Sequence, residues 1–148
     1  MDWTAPISTA LGGLIGVISA LIAHRVQWKK EVKQRQREEL RSACVQFLSV
    51  VTQAREQIHR AARDSRDEEK MQRAHDALSD HDVFPARIQL HLAAPQDLAE
   101  MSRELVHLLI AYRDAVTSGG PCKEAELKLT DHRNTLTQAM QATLSAIR

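Results

Sequence analysis

The stretch LRSACVQFLSVVTQAREQIHRA, residues 40–61, carries the pattern that determines the fold. Its apolar residues recur in alternating steps of four and three, the spacing of buried positions on a helix that packs against other helices. Val45 and Leu48 widen this seam, which suits a bundle core better than a two-stranded coiled coil. The seam consists of Leu40, Cys44, Phe47, Val51, Ala54, Ile58 and Ala61.

The composition of the chain favours helices throughout. Ala, Leu, Gln, Glu, Arg and Lys are abundant, while only four Pro and five Gly interrupt the 148 residues. No β-branched run bounded by turn residues predicts a strand, so the fold class is all-α. The formal net charge is +1, so no general excess of positive charge points to nucleic acid, and no nucleic-acid partner is predicted.

A charged turn at residues 64–69 separates the first helix from the next apolar pattern. We predict two shorter helices, over about 67–79 and 84–92, because Ser79–Asp82 and Pro85 interrupt the pattern. Whether they form one kinked helix or two separate ones stays open at this point. Their predicted buried seam is Met71, Ala74, Leu78, Pro85, Ile88 and Leu92.

Two long helices follow, divided by the clearest stop signal in the chain. Pro95 is predicted at the first position of one helix, and Ser118-Gly119-Gly120-Pro121 ends it. The first of these helices has an apolar face that consists of Leu98, Met101, Leu105, Leu108, Tyr112 and Ala115, with Leu109 and Val116 beside it. The last helix carries Ala125, Leu129, His132, Leu136, Ala139, Thr143 and Ile147 on its apolar face.

Short connections between amphipathic helices predict antiparallel neighbours. Residues 42–148 should therefore form an up-and-down, coiled-coil-like bundle of three to four helices, which the first helix enters without a break. A core of this size is marginal, so partner helices would help to complete it.

The N-terminal stretch TAPISTALGGLIGVISALIA, residues 4–23, contains no charged residue. About twenty residues of helix match the roughly 30 Å of a bilayer's hydrocarbon layer, so residues 1–24 are predicted to be a transmembrane anchor. A cleaved signal peptide is the alternative. A signal peptide would need a positive N-terminal region, whereas Asp2 is the only charged residue before the stretch. A signal peptide would also need small residues at a cleavage site, which the end of this stretch does not offer.

A basic juxtamembrane segment, residues 25–41, predicts the orientation. It holds seven Lys or Arg against three Glu, and no Lys or Arg precedes the span. By the positive-inside rule, the chain is a single-pass protein of the plasma membrane, with its N-terminus outside and the bundle in the cytoplasm. The predicted partner is the lipid bilayer, and the predicted interface anchors are Trp3, Trp28, Arg25, Lys29 and Lys30.

Small residues recur every four positions along one face of the predicted span. Gly12 and Gly16 would let a second transmembrane helix approach closely, which suggests a homo-oligomer or a partner membrane protein. The complete face is Ser8, Gly12, Gly16 and Ala20.

No catalytic, cofactor-binding or metal-binding arrangement emerges from the sequence, so we expect a protein that is not an enzyme. Neither Cys44 nor Cys122 has a histidine next to it, and their separation fits no zinc motif. His75 and His81 are six residues apart, which directs them to different sides of one helix. We interpret the region around them, including Asp76, Asp80 and Asp82, as a solvated turn between helices.

The order of these features resembles small, uncharacterised single-pass membrane proteins of actinobacteria, Streptomyces in particular. The resemblance covers most of the chain, although the second helix of that group is uninterrupted where this one has Asp80-His81-Asp82 and Pro85. It implies the membrane topology, and the group has no established activity that could be carried over to this chain. The matching motifs are Leu11-Gly12-Gly13-Leu14-Ile15-Gly16, His24-Arg25, Glu39-Leu40-Arg41, Phe47-Leu48, Arg87-Ile88-Gln89-Leu90 and Ala93-Ala94-Pro95.

Two functions are compatible with this layout. The first is a membrane-anchored scaffold or interaction module whose bundle holds a partner protein at the inner face of the membrane. The second is a small accessory subunit of a transport, conjugation or phage-related complex that associates through its transmembrane helix.

Overall fold

The computed structural model describes the backbone of residues 4–64 and 67–147, and the side chains of this part except those of residues 4–24, 26, 64 and 67. Throughout this described part the chain is helical, with turns and no strands, as the sequence predicts. There are five helices: α1 (Thr4–Asp64), α2 (Asp67–Asp80), α3 (Val83–Ala93), α4 (Gln96–Ser118) and α5 (Cys122–Ala146).

The chain divides into two compact units, residues 1–36 and residues 37–148. The second unit is a helical bundle with one hydrophobic core, to which the C-terminal half of α1 and the four later helices all contribute. The first unit contains the exposed helical residues that precede Arg37.

The predicted α1 seam is confirmed, because all seven of its residues are at most 3% exposed. Phe47, Ala54 and Ile58 are completely buried. Leu48 packs partly against the core, but the expectation for Val45 is wrong, since its side chain is 62% exposed. The regular spacing of four and three therefore identifies the packed side of α1 better than local apolarity does.

The break between α2 and α3 lies before Pro85, and the two helices are separate. Asp82 adopts the left-handed conformation with φ 53°, and its N–H donates to the Ser79 carbonyl at 3.1 Å. α3 then begins at Val83. Pro85 thus falls in the first turn of α3, where a helix needs no backbone N–H donor.

The predicted seam across α2 and α3 is correct only in part. Ala74 and Leu78 are buried, but Met71 is exposed. Ile88 and Leu92, together with Pro85, are also exposed, and α3 instead buries Val83, Ala86 and Leu90. The left-handed residue between the helices resets the rotation of the chain, so the periodicity of α2 does not carry over into α3.

α4 begins one residue later than predicted, since Pro95 precedes the helix and accepts the Ala99 N–H at 3.1 Å. At its other end, Gly119 is left-handed with φ 70°, and the Gly120 N–H donates to the Ala115 carbonyl at 2.9 Å. This is the Schellman arrangement, which satisfies the last carbonyl groups of a helix. The predicted stop is confirmed.

α4 and α5 lie antiparallel. The His132 ring donates to the Met101 carbonyl at 2.9 Å near the beginning of α4. Further along α4, Tyr112 lies beside His59 of α1, whose ring is also 3.9 Å from Glu126 near the beginning of α5. Both helices contribute their predicted leucines to the core, and Ser102 and Met140 are also buried there.

Candidate interaction surfaces

α3 presents apolar side chains on both of its sides. While Val83, Ala86 and Leu90 enter the core, Phe84, Ile88 and Leu92 on the opposite side are 43%, 52% and 81% exposed. The last three residues are spaced by four, so they form a continuous row about 12 Å long on one helix face. We call Phe84, Ile88 and Leu92 the α3 outer face.

Positive charge accompanies the α3 outer face. α3 contains no acidic residue, and its ionisable side chains are Arg87 and His91. These two residues also line a groove between α3 and the beginning of α4, together with Arg103 and Glu100. The Glu100 carboxylate accepts a hydrogen bond from the Gln96 amide at 3.0 Å. A partner that covers this region would therefore meet a row of apolar side chains with the Arg87 guanidinium and the His91 imidazole along one edge.

Residues 25–36 form a second exposed surface. Among the predicted interface anchors, the side chains of Arg25, Trp28, Lys29 and Lys30 are all solvent-exposed, with Trp28 at 65%. Val32, one turn after Trp28, is 39% exposed. Trp3 and the predicted packing face of Ser8, Gly12, Gly16 and Ala20 lie outside the residues whose side chains are described.

A polar cluster joins α1, α4 and α5. Arg55 donates to Glu126 at 2.5 Å, and His59 is hydrogen bonded to the Tyr112 hydroxyl at 3.2 Å. Burial, and secondarily the negative charge of Glu126, raises the pKa of Tyr112 above its ordinary value. Burial thus favours the neutral phenol, and the cluster connects α1, α4 and α5.

The group around His81 is a turn whose side chains are tied to α1. Gln57 donates to the Asp80 carboxylate at 2.8 Å and to the Arg73 carbonyl at 3.1 Å, and the His81 ring donates to the Gln57 amide oxygen at 2.7 Å. Sequence reasoning identified the turn but missed Gln57, which lies more than fifteen residues away from each of its partners. Within residues 4–64 and 67–147 as described, no three His, Cys, Asp or Glu side chains converge as metal ligands.

Both cysteines are free thiols. Cys44 is buried in the α1 seam, and burial raises the pKa of its thiol. A reactive cysteine requires the opposite change, because the thiolate is the nucleophile. Cys122 lies at the start of α5 and is directed toward the Gly120 carbonyl at 3.3 Å. Cys44 thus has the environment of a structural cysteine.

Comparison of the chain with protein-family models, curated proteins and solved structures gives no match. Among the helical residues that the structure describes with their side chains, no segment is sufficiently long and apolar to cross a bilayer. The predicted span, residues 4–23, lies outside that set.

Proposed function

We propose that the protein is a membrane-anchored interaction module without catalytic activity, which holds a partner protein at the inner face of the plasma membrane. The uncharged N-terminal stretch and the basic residues after it support the anchor and its orientation. The α3 outer face supports the interaction, and it is the observation on which the proposal chiefly depends.

The three large apolar side chains of the α3 outer face remain in contact with water. Complete burial of one Leu, Ile or Phe side chain contributes about 1.5–3 kcal/mol. A row of such residues at spacing four is the feature that one amphipathic helix offers to another. Because Arg87 and His91 flank the row, we propose that the partner segment is an amphipathic helix with apolar residues at spacing four and acidic residues at their edge.

A site-specific photo-crosslinker tests this proposal. It is placed at position 92 of the full chain, in the membranes of the native organism, and the crosslinked peptide is sequenced by mass spectrometry. We expect a helical segment with the apolar and acidic pattern described above. A crosslink to α3 of a second copy would show self-association and contradict the heterologous partner.

Two matched substitutions test whether the crosslinked complex depends on the α3 outer face. Ile88→Asp should abolish the complex, because it places a carboxylate in the centre of the apolar row. Leu127→Asp is the control, since Leu127 is a 61% exposed leucine on α5, outside the α3 outer face. Equal loss in both variants would contradict a specific surface on α3.

The accessory-subunit function is the competing outcome. In that case Gly12→Leu would abolish complex formation while Ile88→Asp would leave it intact, because association energy would reside in the membrane helix. The two substitutions therefore distinguish the two functions in one pull-down experiment.

A further inference from the structure

Residues 25–36 combine an exposed apolar pair with concentrated positive charge. Trp28 and Val32 are one helical turn apart and both are exposed. Moving an exposed indole side chain out of water lowers the free energy when an apolar or interfacial environment takes the place of the water. Trp28 and Val32 therefore indicate which side of this helix would contact a binding partner.

The charges around the pair have one dominant sign. Residues 25–36 contain five cations and one acid, Glu31. Arg25 precedes Trp28 by three residues, and Lys29 and Arg35 lie three residues before and after Val32, so these cations border the apolar pair on both sides. In the described part of the chain, no ion pair involves any of the five cations, which are Arg25, Lys29, Lys30, Lys33 and Arg35.

The position along the chain indicates what covers this surface. The predicted span ends at Ala23, and Trp28 follows about 7.5 Å further along a helix. The headgroup region occupies roughly 5–8 Å on each side of the hydrocarbon layer. Trp28 therefore falls at headgroup depth, where tryptophan is enriched, and each nearby Lys or Arg contributes about 1 kcal/mol toward an anionic surface.

We infer that residues 25–36 bind the headgroups of anionic phospholipids, with Trp28 within the headgroup layer and the cations around it against lipid phosphates and carboxylates. This inference rests on the proposed membrane anchor, and it adds a preference for lipid charge that an anchor alone does not require. The basic residues then select the lipid environment in which the module operates, in addition to orienting the chain.

The test uses the full chain with Trp3→Phe, which leaves Trp28 as the only tryptophan. The protein is reconstituted in vesicles of phosphatidylcholine alone or mixed with phosphatidylserine. We expect a blue-shifted Trp28 emission and stronger quenching by brominated phosphatidylserine than by brominated phosphatidylcholine. At about 1 M salt, where the Debye length is near 3 Å, this preference should largely disappear.

The double variant Lys29→Gln/Lys33→Gln removes two positive charges, each of which contributes ~1 kcal/mol to binding an anionic surface. Since ~1.4 kcal/mol corresponds to a tenfold change in affinity, the preference for phosphatidylserine should fall about 30-fold. Lys123→Gln/Lys128→Gln is the matched control, because it removes the same charge from exposed positions on α5. The control should retain the preference. Equal loss in both variants would overturn the inference.

Flotation of the same vesicles separates the inference from the anchor on which it rests. If the protein floats with both lipid mixtures but Trp28 emission does not distinguish them, the inference is overturned and the anchor stands. If it floats only with phosphatidylserine, the headgroup site stands and the anchor is overturned. If it floats with neither, both are overturned.

Discussion

Leu90 and Leu92 are separated by a single residue in α3 and have opposite environments. Leu90 is fully buried, whereas Leu92 is 81% exposed. Leu90→Ala should lower the free energy of unfolding by about 2–5 kcal/mol, because it leaves a cavity in the core. Leu92→Ala should change it by no more than about 0.5 kcal/mol. Chemical denaturation followed by circular dichroism measures both values, and similar costs would contradict the burial of Leu90 and the exposure of Leu92.

Tyr112 is the only tyrosine in the chain, so its ionisation can be followed directly. Burial raises its pKa, and the folded state therefore retains the proton at pH values where the unfolded chain loses it. Stability contributed by this group is complete below about pH 10, the unfolded value, and falls as pH rises beyond it. Phenolate absorbance should have its midpoint above 10 in the folded protein and near 10 in guanidinium. Coincident midpoints would contradict the buried environment.

At the scale of the helices, the end of α4 depends on one backbone conformation. Gly119 has φ 70°, and a Cβ added there would meet no atom within 4 Å. Gly119→Ala should therefore lower stability through backbone strain alone, by about 1–2 kcal/mol. Gly120→Ala is the control, because a Cβ there meets Ser118 and Ala115 at ordinary contact distances of 3.4–3.8 Å. Thermal unfolding compares the two variants, and a larger loss for Gly120→Ala would contradict the assigned helix end.

The sequence predicts the helices well where their determinants are local. The α1 seam follows from regular spacing, and the end of α4 follows from Gly119 and Gly120. The orientation of α3 was missed because Asp82 resets the helical phase, and a conformation with positive φ at a non-glycine residue is not evident from composition. The ion pair of Arg55 with Glu126 was missed because its two partners are 71 residues apart.

Local determinants also decide how far each candidate surface could be predicted from the sequence. Trp28, Lys29 and Lys30 are neighbours in sequence, so the basic segment is visible directly. The α3 outer face is visible only once the opposite face of α3 is known to be buried. Ile88 and Leu92 were expected in the core, and apolarity alone does not distinguish a residue buried within the chain from one that a partner covers.

At the scale of the whole molecule, the buried core that the structure describes lies in the second unit. Its fully buried members extend from Leu40 to Met140. A truncated chain that begins at Arg37 should therefore fold cooperatively into helices, with a free energy of unfolding within about 1 kcal/mol of the full chain, because it keeps every core residue that the structure describes. Equilibrium denaturation of both chains tests this. A truncated chain that is unfolded, or that unfolds without cooperativity, would show that the N-terminal residues are required for the bundle.

The α3 outer face also limits the amount of this protein that a cell can make without aggregation. Copies made in excess of the proposed partner would expose the apolar row of Phe84, Ile88 and Leu92 to one another. Surplus protein should then aggregate or be degraded, so the proposed function requires that the protein and its proposed partner be synthesised in matched amounts.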